Sequence, residues 1–291
     1  MKKTIDEFYS PEVLRELQLM EIDILKDFDM ICKKYNLEYF GIFGTLLGAV
    51  RHHGIIPWDD DIDVGMPRKD FEKLQSIWEA ELSDKYNFLN GTVESRYPFA
   101  TARLMKKNTE FRMLSMKSCP FELGVFLDIF PYDNIPEDAR LQKQLMDRCW
   151  ILDKFNILRN TPFPNLPYRG ITRIFAYMAC FLGSLVIKLV PRTKLQSLSK
   201  KAGMKYSDQE TEYIGYVYGL RPRTRIHAKS DIYPLQNVPF EDFSLPIPAN
   251  ADKILRQSFG DNYMTPPPKG KRSNIVPYRL DLGNGLIEEN K

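Results

Sequence analysis

Four aspartates fall within five positions, Asp59-Asp60-Asp61-Ile62-Asp63. Carboxylates so close together suit a hard divalent cation. Two of them about 4 Å apart repel by roughly 4 kcal/mol at an effective dielectric near 20. A cation bound by their oxygens, magnesium before manganese or calcium, relieves that repulsion. In an extended chain, side chains alternate faces, so Asp59, Asp61 and Asp63 share one face and Asp60 takes the other. Pro57 ahead of the run and the β-branched Ile62 and Val64 favour the extended form. A helix would set Asp61 opposite Asp59 and Asp63 and split the ligands. A solvated acidic turn is the competing reading. Helix capping by Asp59 or Asp60 is compatible with metal binding. A calcium loop of the EF-hand type fits poorly, because Val64 stands where that loop needs glycine and Asp70 where it needs glutamate.

Two further groups join the run. Gly44-Thr45 closes an apolar stretch, where a glycine lets backbone approach a ligand and the amides opening the next helix can meet an anion. Alone, such a pair is often only a strand-to-helix turn. Asp128 is the single charge in Val125-Phe126-Leu127-Asp128-Ile129-Phe130. A buried lone carboxylate needs a partner. A metal shared with Asp61 and Asp63 is one, and a salt bridge or a capping role is the alternative. His52 and His53 are adjacent, and surface or substrate contact suits them better than catalysis.

The elements that must hold these groups follow from spacing. Ser10-Pro11 starts a helix to about Tyr35, with Leu14, Leu17, Ile24, Phe28 and Ile31 on its core face. Leu37 to Phe43 reads as a buried strand, Leu46 to Arg51 as a short helix, and Ile62-Asp63-Val64 as a second strand. Pro67 opens a helix, and Val125 to Phe130 forms a strand that Pro131 stops. Pro136 to about Tyr206 turns helical. Within it, Ile174 to Ile187 carries no charged residue over fourteen positions. That is short for a membrane span. A buried helix is the first reading and a helix lying on a membrane surface the second, the latter helped by Arg192, Lys194, Lys200, Lys201 and Lys205. Three segments result: a core over 1–135, a helical insert over 136–206, and a return to the core over 207–291.

The chain has 291 residues, 43% of them hydrophobic and 27% charged, enough for one large core. A net charge of +3 gives no case for nucleic acid. Asp6 and Glu7 interrupt the place where a secretion signal needs its apolar stretch. Four widely spaced cysteines read as reduced thiols. A cytoplasmic protein is therefore expected, peripheral to the inner face of the membrane if the apolar stretch binds there.

The run from Gly44 through His52-His53-Gly54 and Ile56-Pro57-Trp58-Asp59-Asp60-Asp61-Ile62-Asp63-Val64 resembles the signature of the LicD family, whose bacterial members are phosphocholine transferases and whose wider group includes fukutin and fukutin-related protein. Gly124 to Pro131 is similar to the family's second acidic motif, and Gly260 to Arg272 to its Pro-rich ending. The resemblance implies an α+β, nucleotidyltransferase-like fold, a mixed β-sheet flanked by helices. It implies transfer of phosphocholine from a CDP-alcohol donor to a glycan or glycolipid acceptor. CDP-ribitol or CDP-glycerol as donor, or nucleotide transfer proper, are the alternatives. Asp61, Asp63 and Asp128 would hold magnesium, with Asp128 as ligand or base. Gly44 and Thr45 would cradle phosphate, and Arg51, Arg103 and Arg272 would clamp it. Leu104 follows Arg103 where many members carry an acidic residue. Trp58 and Tyr132 are candidate walls for a choline head group, with core packing as their other role.

Overall fold

The computed structural model describes residues 9–113, 116–117, 119–160, 168–219, 225–272, 277–285 and 287–289. The N-terminal residues 1–8, over which no secretion signal was expected, lie outside them. In chain order the elements are α1 (Pro11–Tyr35), β1 (Phe40–Gly41), α2 (Phe43–His52), β2 (Asp63–Pro67), α3 (Arg68–Leu82), β3 (Tyr86–Leu89), β4 (Ala102–Lys106), β5 (Glu110–Arg112) and β6 (Phe126–Ile135). They continue with α4 (Ala139–Asn160), α5 (Gly170–Ile187), α6 (Arg192–Gly203), β7 (Tyr213–Gly215), β8 (Ile226–Ala228), α7 (Lys229–Ile232), β9 (Gln236–Phe240), β10 (Phe243–Ile247), α8 (Ala251–Phe259), β11 (Arg279–Asp281) and β12 (Ile287–Glu289). Helices and a mixed sheet make the fold α+β.

The chain divides into two compact units: Met1–Phe88, Arg103–Tyr132 and His227–Lys291 form the first, and Leu89–Ala102 with Asp133–Ile226 the second.

In the first unit α1 forms where its caps dictate. The Ser10 side chain accepts from the Val13 amide, Pro11 opens the helix, and Asn36 closes it at φ 51°. Leu17, Ile24, Leu25 and Phe28 are fully buried. The main sheet has the order β1-β2-β6-β4-β3, with β1 antiparallel and β6 parallel to β2. The strand expected over Leu37 to Phe43 is paired only at Phe40–Gly41. Phe43 then takes φ 47°, an uncommon conformation for a non-glycine residue, and α2 begins there. Gly44 and Thr45 therefore sit inside the first helical turn, not at a strand end. The strand expected to stop at Pro131 runs on to Ile135. Asp128 turns its amide towards Ile62 of the chain entering β2, so by alternation the missing amide of Pro131 falls on the other side and costs that pairing nothing.

The second unit holds α4, α5 and α6, with β7 antiparallel to the Asp133–Ile135 end of β6. The buried reading of the uncharged stretch does not hold. Ser184 is the one buried residue of α5, while Phe175 and Val186 are 62% and 67% exposed. Among the described residues, α5 is the one helix long and apolar enough to cross a membrane by length and composition.

Candidate active site

Strand register assembles the site. Asp63 and Asp128, 65 positions apart, are partners across the parallel β2–β6 pair. Thr45 fixes the start of β2, because its buried hydroxyl accepts the Asp63 amide at 2.8 Å. The Asp63 carbonyl accepts from Ile42 at 3.2 Å. Thr45 thus serves the aspartate strand through its side chain.

The aspartate run alternates as an extended chain does. Asp59, Asp61 and Asp63 are half-buried, while Asp60, Ile62 and Val64 are buried, although ladder pairing begins only at Asp63. One oxygen from each of Asp59, Asp60 and Asp61 lies within 4.8 Å of the other two. The converging set is therefore Asp59–Asp60–Asp61, where the sequence suggested Asp61, Asp63 and Asp128. Asp60 has no exposed surface, so a solvated turn does not describe this run. The Tyr9 hydroxyl donates to Asp60 Oδ2 at 3.0 Å. Gln18 of α1 donates from Nε2 to the Asp59 and Ile56 carbonyls at 2.9 and 3.4 Å. A Cβ on Gly44 would lie 2.6 Å from Asp59 Oδ2. Glycine at 44 lets this carboxylate rest against the start of α2, where an anion is favoured, and no side chain caps that helix.

Charge in the cluster is poorly relieved. Burial, then Asp61 and Asp60, push the Asp59 carboxyl well above the usual range. Burial, then Asp61 and Asp128, do the same to Asp63. Asp61 is pushed up to about 6 by burial and by Asp128, with Arg103 pulling the other way. Hard oxygen ligands with unrelieved charge fit magnesium or manganese.

Asp128 is in a different state. Arg103 donates from Nε and Nη2 to its two oxygens at 2.8 and 3.0 Å, and the guanidinium lies 3.7 Å over the Phe126 ring. Both partners are buried. The cation that meets Asp128 is thus Arg103, the salt-bridge alternative for this carboxylate, and the same pair engages the arginine expected to clamp phosphate. The signal was a second lone charge in an apolar strand, Arg103 among Ala102, Leu104 and Met105.

Trp58 gathers the remaining arginines. The Arg272 guanidinium lies 3.9 Å over its ring and Arg51 lies 5.7 Å away, with His52 edge-on at 5.8 Å. Arg51 is anchored by the Tyr263 carbonyl at 2.7 Å and by His52 Nε2 at 2.9 Å. Arg272 Nε is buried without a hydrogen-bond partner. An arginine therefore covers the face considered for choline. Burial, then Arg51, lower the His52 pKa, and exposed His53 ends α2 at φ 55°. Tyr132 is buried against Phe40 and His227 and is core, not a ligand wall. The sequence reading missed Tyr9, Gln18 and Glu21. The last two were visible as polar residues on the apolar face of α1.

The family model described as LicD/FKTN/FKRP, nucleotidyltransferase domain, matches residues 36–165. That range holds the aspartate run, Arg103 and Asp128, and leaves out Arg272. The chain is 35% identical over 218 residues to the lipopolysaccharide cholinephosphotransferase LicD of Haemophilus influenzae, covering 70% of this chain and 80% of that protein. It is 50% identical over 54 residues to an uncharacterized protein of Rickettsia prowazekii, covering 19% of this chain and 20% of that protein. With that first similarity extending through most of both chains, this protein belongs to the LicD family.

Proposed function

We propose that this protein is an enzyme of the LicD type on a nucleotidyltransferase-like fold. It transfers phosphocholine from a CDP-linked donor to a hydroxyl of a cell-surface glycan precursor, with magnesium at the aspartate cluster. Similarity to the Haemophilus cholinephosphotransferase supports the transferred group. The observation that carries the chemistry is the convergence of Asp59, Asp60 and Asp61, with Asp59, Asp61 and Asp63 all shifted towards protonation by crowding and burial.

A bound magnesium or manganese ion would neutralise charge on the diphosphate and on the departing nucleotide. Arg51 and Arg272 bind phosphate oxygens from beside Trp58, and the amides at Gly44 and Thr45 add donors. A carboxylate of the run that the cation leaves free takes the proton of the attacking hydroxyl. The acceptor oxygen bonds to phosphorus as the bond to CMP breaks. Asp128, held by Arg103, positions the strand beside Asp63. Purified protein with magnesium, acceptor and CDP-choline should release CMP. Preference for CDP-ribitol or CDP-glycerol would change the transferred group, and pyrophosphate release from a nucleoside triphosphate would make the enzyme a nucleotidyltransferase.

The reading places the enzyme at the cytoplasmic membrane face, where a soluble nucleotide donor meets a lipid-linked acceptor. The exposed apolar residues of α5 support this, as do Trp150, Ile151 and Phe155 on α4, which packs against it. Arg173 and Lys188 stand near the two ends of the helix and suit anionic lipid. Flotation with anionic liposomes tests the placement. Phe175→Asp with Val186→Asp should abolish it, and wild-type protein that stays at the bottom of the gradient contradicts it.

A further inference from the structure

Glu21 is the group in this region that the reaction above leaves unused. It lies on α1, three residues after Gln18 and so on the same helix face. Gln18 holds the carbonyls of Ile56 and Asp59, so that face looks onto the aspartate loop. Glu21 has no exposed surface, and neither carboxyl oxygen has a hydrogen-bond partner. Burial pushes its pKa well above the usual range, followed by Asp61, Asp60, Asp59 and Asp63 in falling order. A buried carboxyl without a bond to either oxygen is costly. Four aspartates as its electrostatic neighbours make it costlier, unless a cation completes the group.

We propose that Glu21 is an acidic member of the cation site, set behind Asp59–Asp60–Asp61 and reaching the divalent ion through a water that the ion carries. The converging trio contains Asp59, Asp60 and Asp61 without Glu21, which places Glu21 outside direct ligation. Magnesium keeps several of its waters when protein-bound. Groups that bond such waters orient the site and tune its affinity. Glu21 is in these terms a positioning residue. The inference rests on the metal reading proposed above.

Manganese binding to the full-length protein, followed by titration calorimetry, tests it together with the melting temperature of the cation-free form. Glu21→Gln should weaken manganese binding by about tenfold or more. The cation-free protein should melt no lower than wild type, since a crowded acidic group is gone. Glu21→Met, which fills the space without polarity, should weaken binding likewise. Loss of affinity in both variants, with the wild-type melting temperature kept in at least one, supports the role. Wild-type affinity in either variant overturns it, as does a lowered melting temperature in both, which would make Glu21 structural. If wild-type protein binds no manganese, the metal reading falls and this inference with it. Wild-type binding that is indifferent to Glu21 removes the inference alone.

Discussion

Asp63 and Asp128 face each other across one parallel strand pair, yet their charges are met differently. Asp128 is buried and answered by Arg103 with two hydrogen bonds. The aspartate run beside it converges three carboxylates, and Asp59, Asp61 and Asp63 form no ion pair among the described residues. The protein supplies its own cation at one place, and at the other the proposed function assigns that role to a cation from solution. A buried ion pair is complete without a ligand. Crowded carboxylates with raised pKa values are not, and this is the pattern expected of a working site.

That contrast can be broken from either side. The largest effect should come from Asp61→Ala. Losing a ligand should cost about 4 kcal/mol of transition-state stabilisation, roughly a thousandfold in turnover, while the cation-free melting temperature holds or rises. Near-normal turnover with an intact circular dichroism spectrum would remove Asp61 from the site. Next comes Arg103→Met, which strands a buried carboxylate and should destabilise by about 3 kcal/mol, read by urea unfolding. Pairing it with Asp128→Leu should restore most of that stability. If the double variant is as unstable as the single one, the charge pair is not what matters there.

A pH series sharpens the comparison further. Asp61 titrates at about 6 in the folded protein against an ordinary 3.8. Between those values the folded state binds more protons than the unfolded state, so stability falls as pH rises through the window. The cation-free protein should lose a few degrees of melting temperature between about pH 4 and 6. Saturating magnesium should flatten or reverse that slope, because the cation holds the carboxylates deprotonated. Identical slopes with and without magnesium would contradict the assignment. The smallest effect should be that of Gly44→Ala. Its methyl must displace Asp59 Oδ2 from 2.6 Å, weakening cation binding a few-fold with little change in unfolding. Unchanged affinity would mean that Asp59 relaxes freely.

Local rules made part of this legible in the chain itself. Ser10 and Pro11 mark the start of α1, and the two-residue alternation of the aspartate run survives in its burial. What stayed hidden is long-range or concerns one group's partner. Asp128 read correctly as a lone buried charge, but nothing nearby names Arg103, which is 25 positions away and brought to it by the sheet. Pro131 looked like a stop because it lacks an amide, and only the sheet shows that this position faces away from the β2 pairing. The α5 stretch looked like core because apolarity does not say which surface covers it. Tyr9 and Gln18 reach the aspartate loop across 51 and 38 positions, beyond the reach of any local pattern.

The most direct test of the central claim, that the aspartate cluster holds a divalent cation needed for transfer, is CMP release from CDP-choline before and after dialysis against a chelator. The account predicts that release stops after dialysis, returns with magnesium or manganese, and never appears in Asp61→Ala. Release that continues undiminished in the chelated wild-type protein would contradict it.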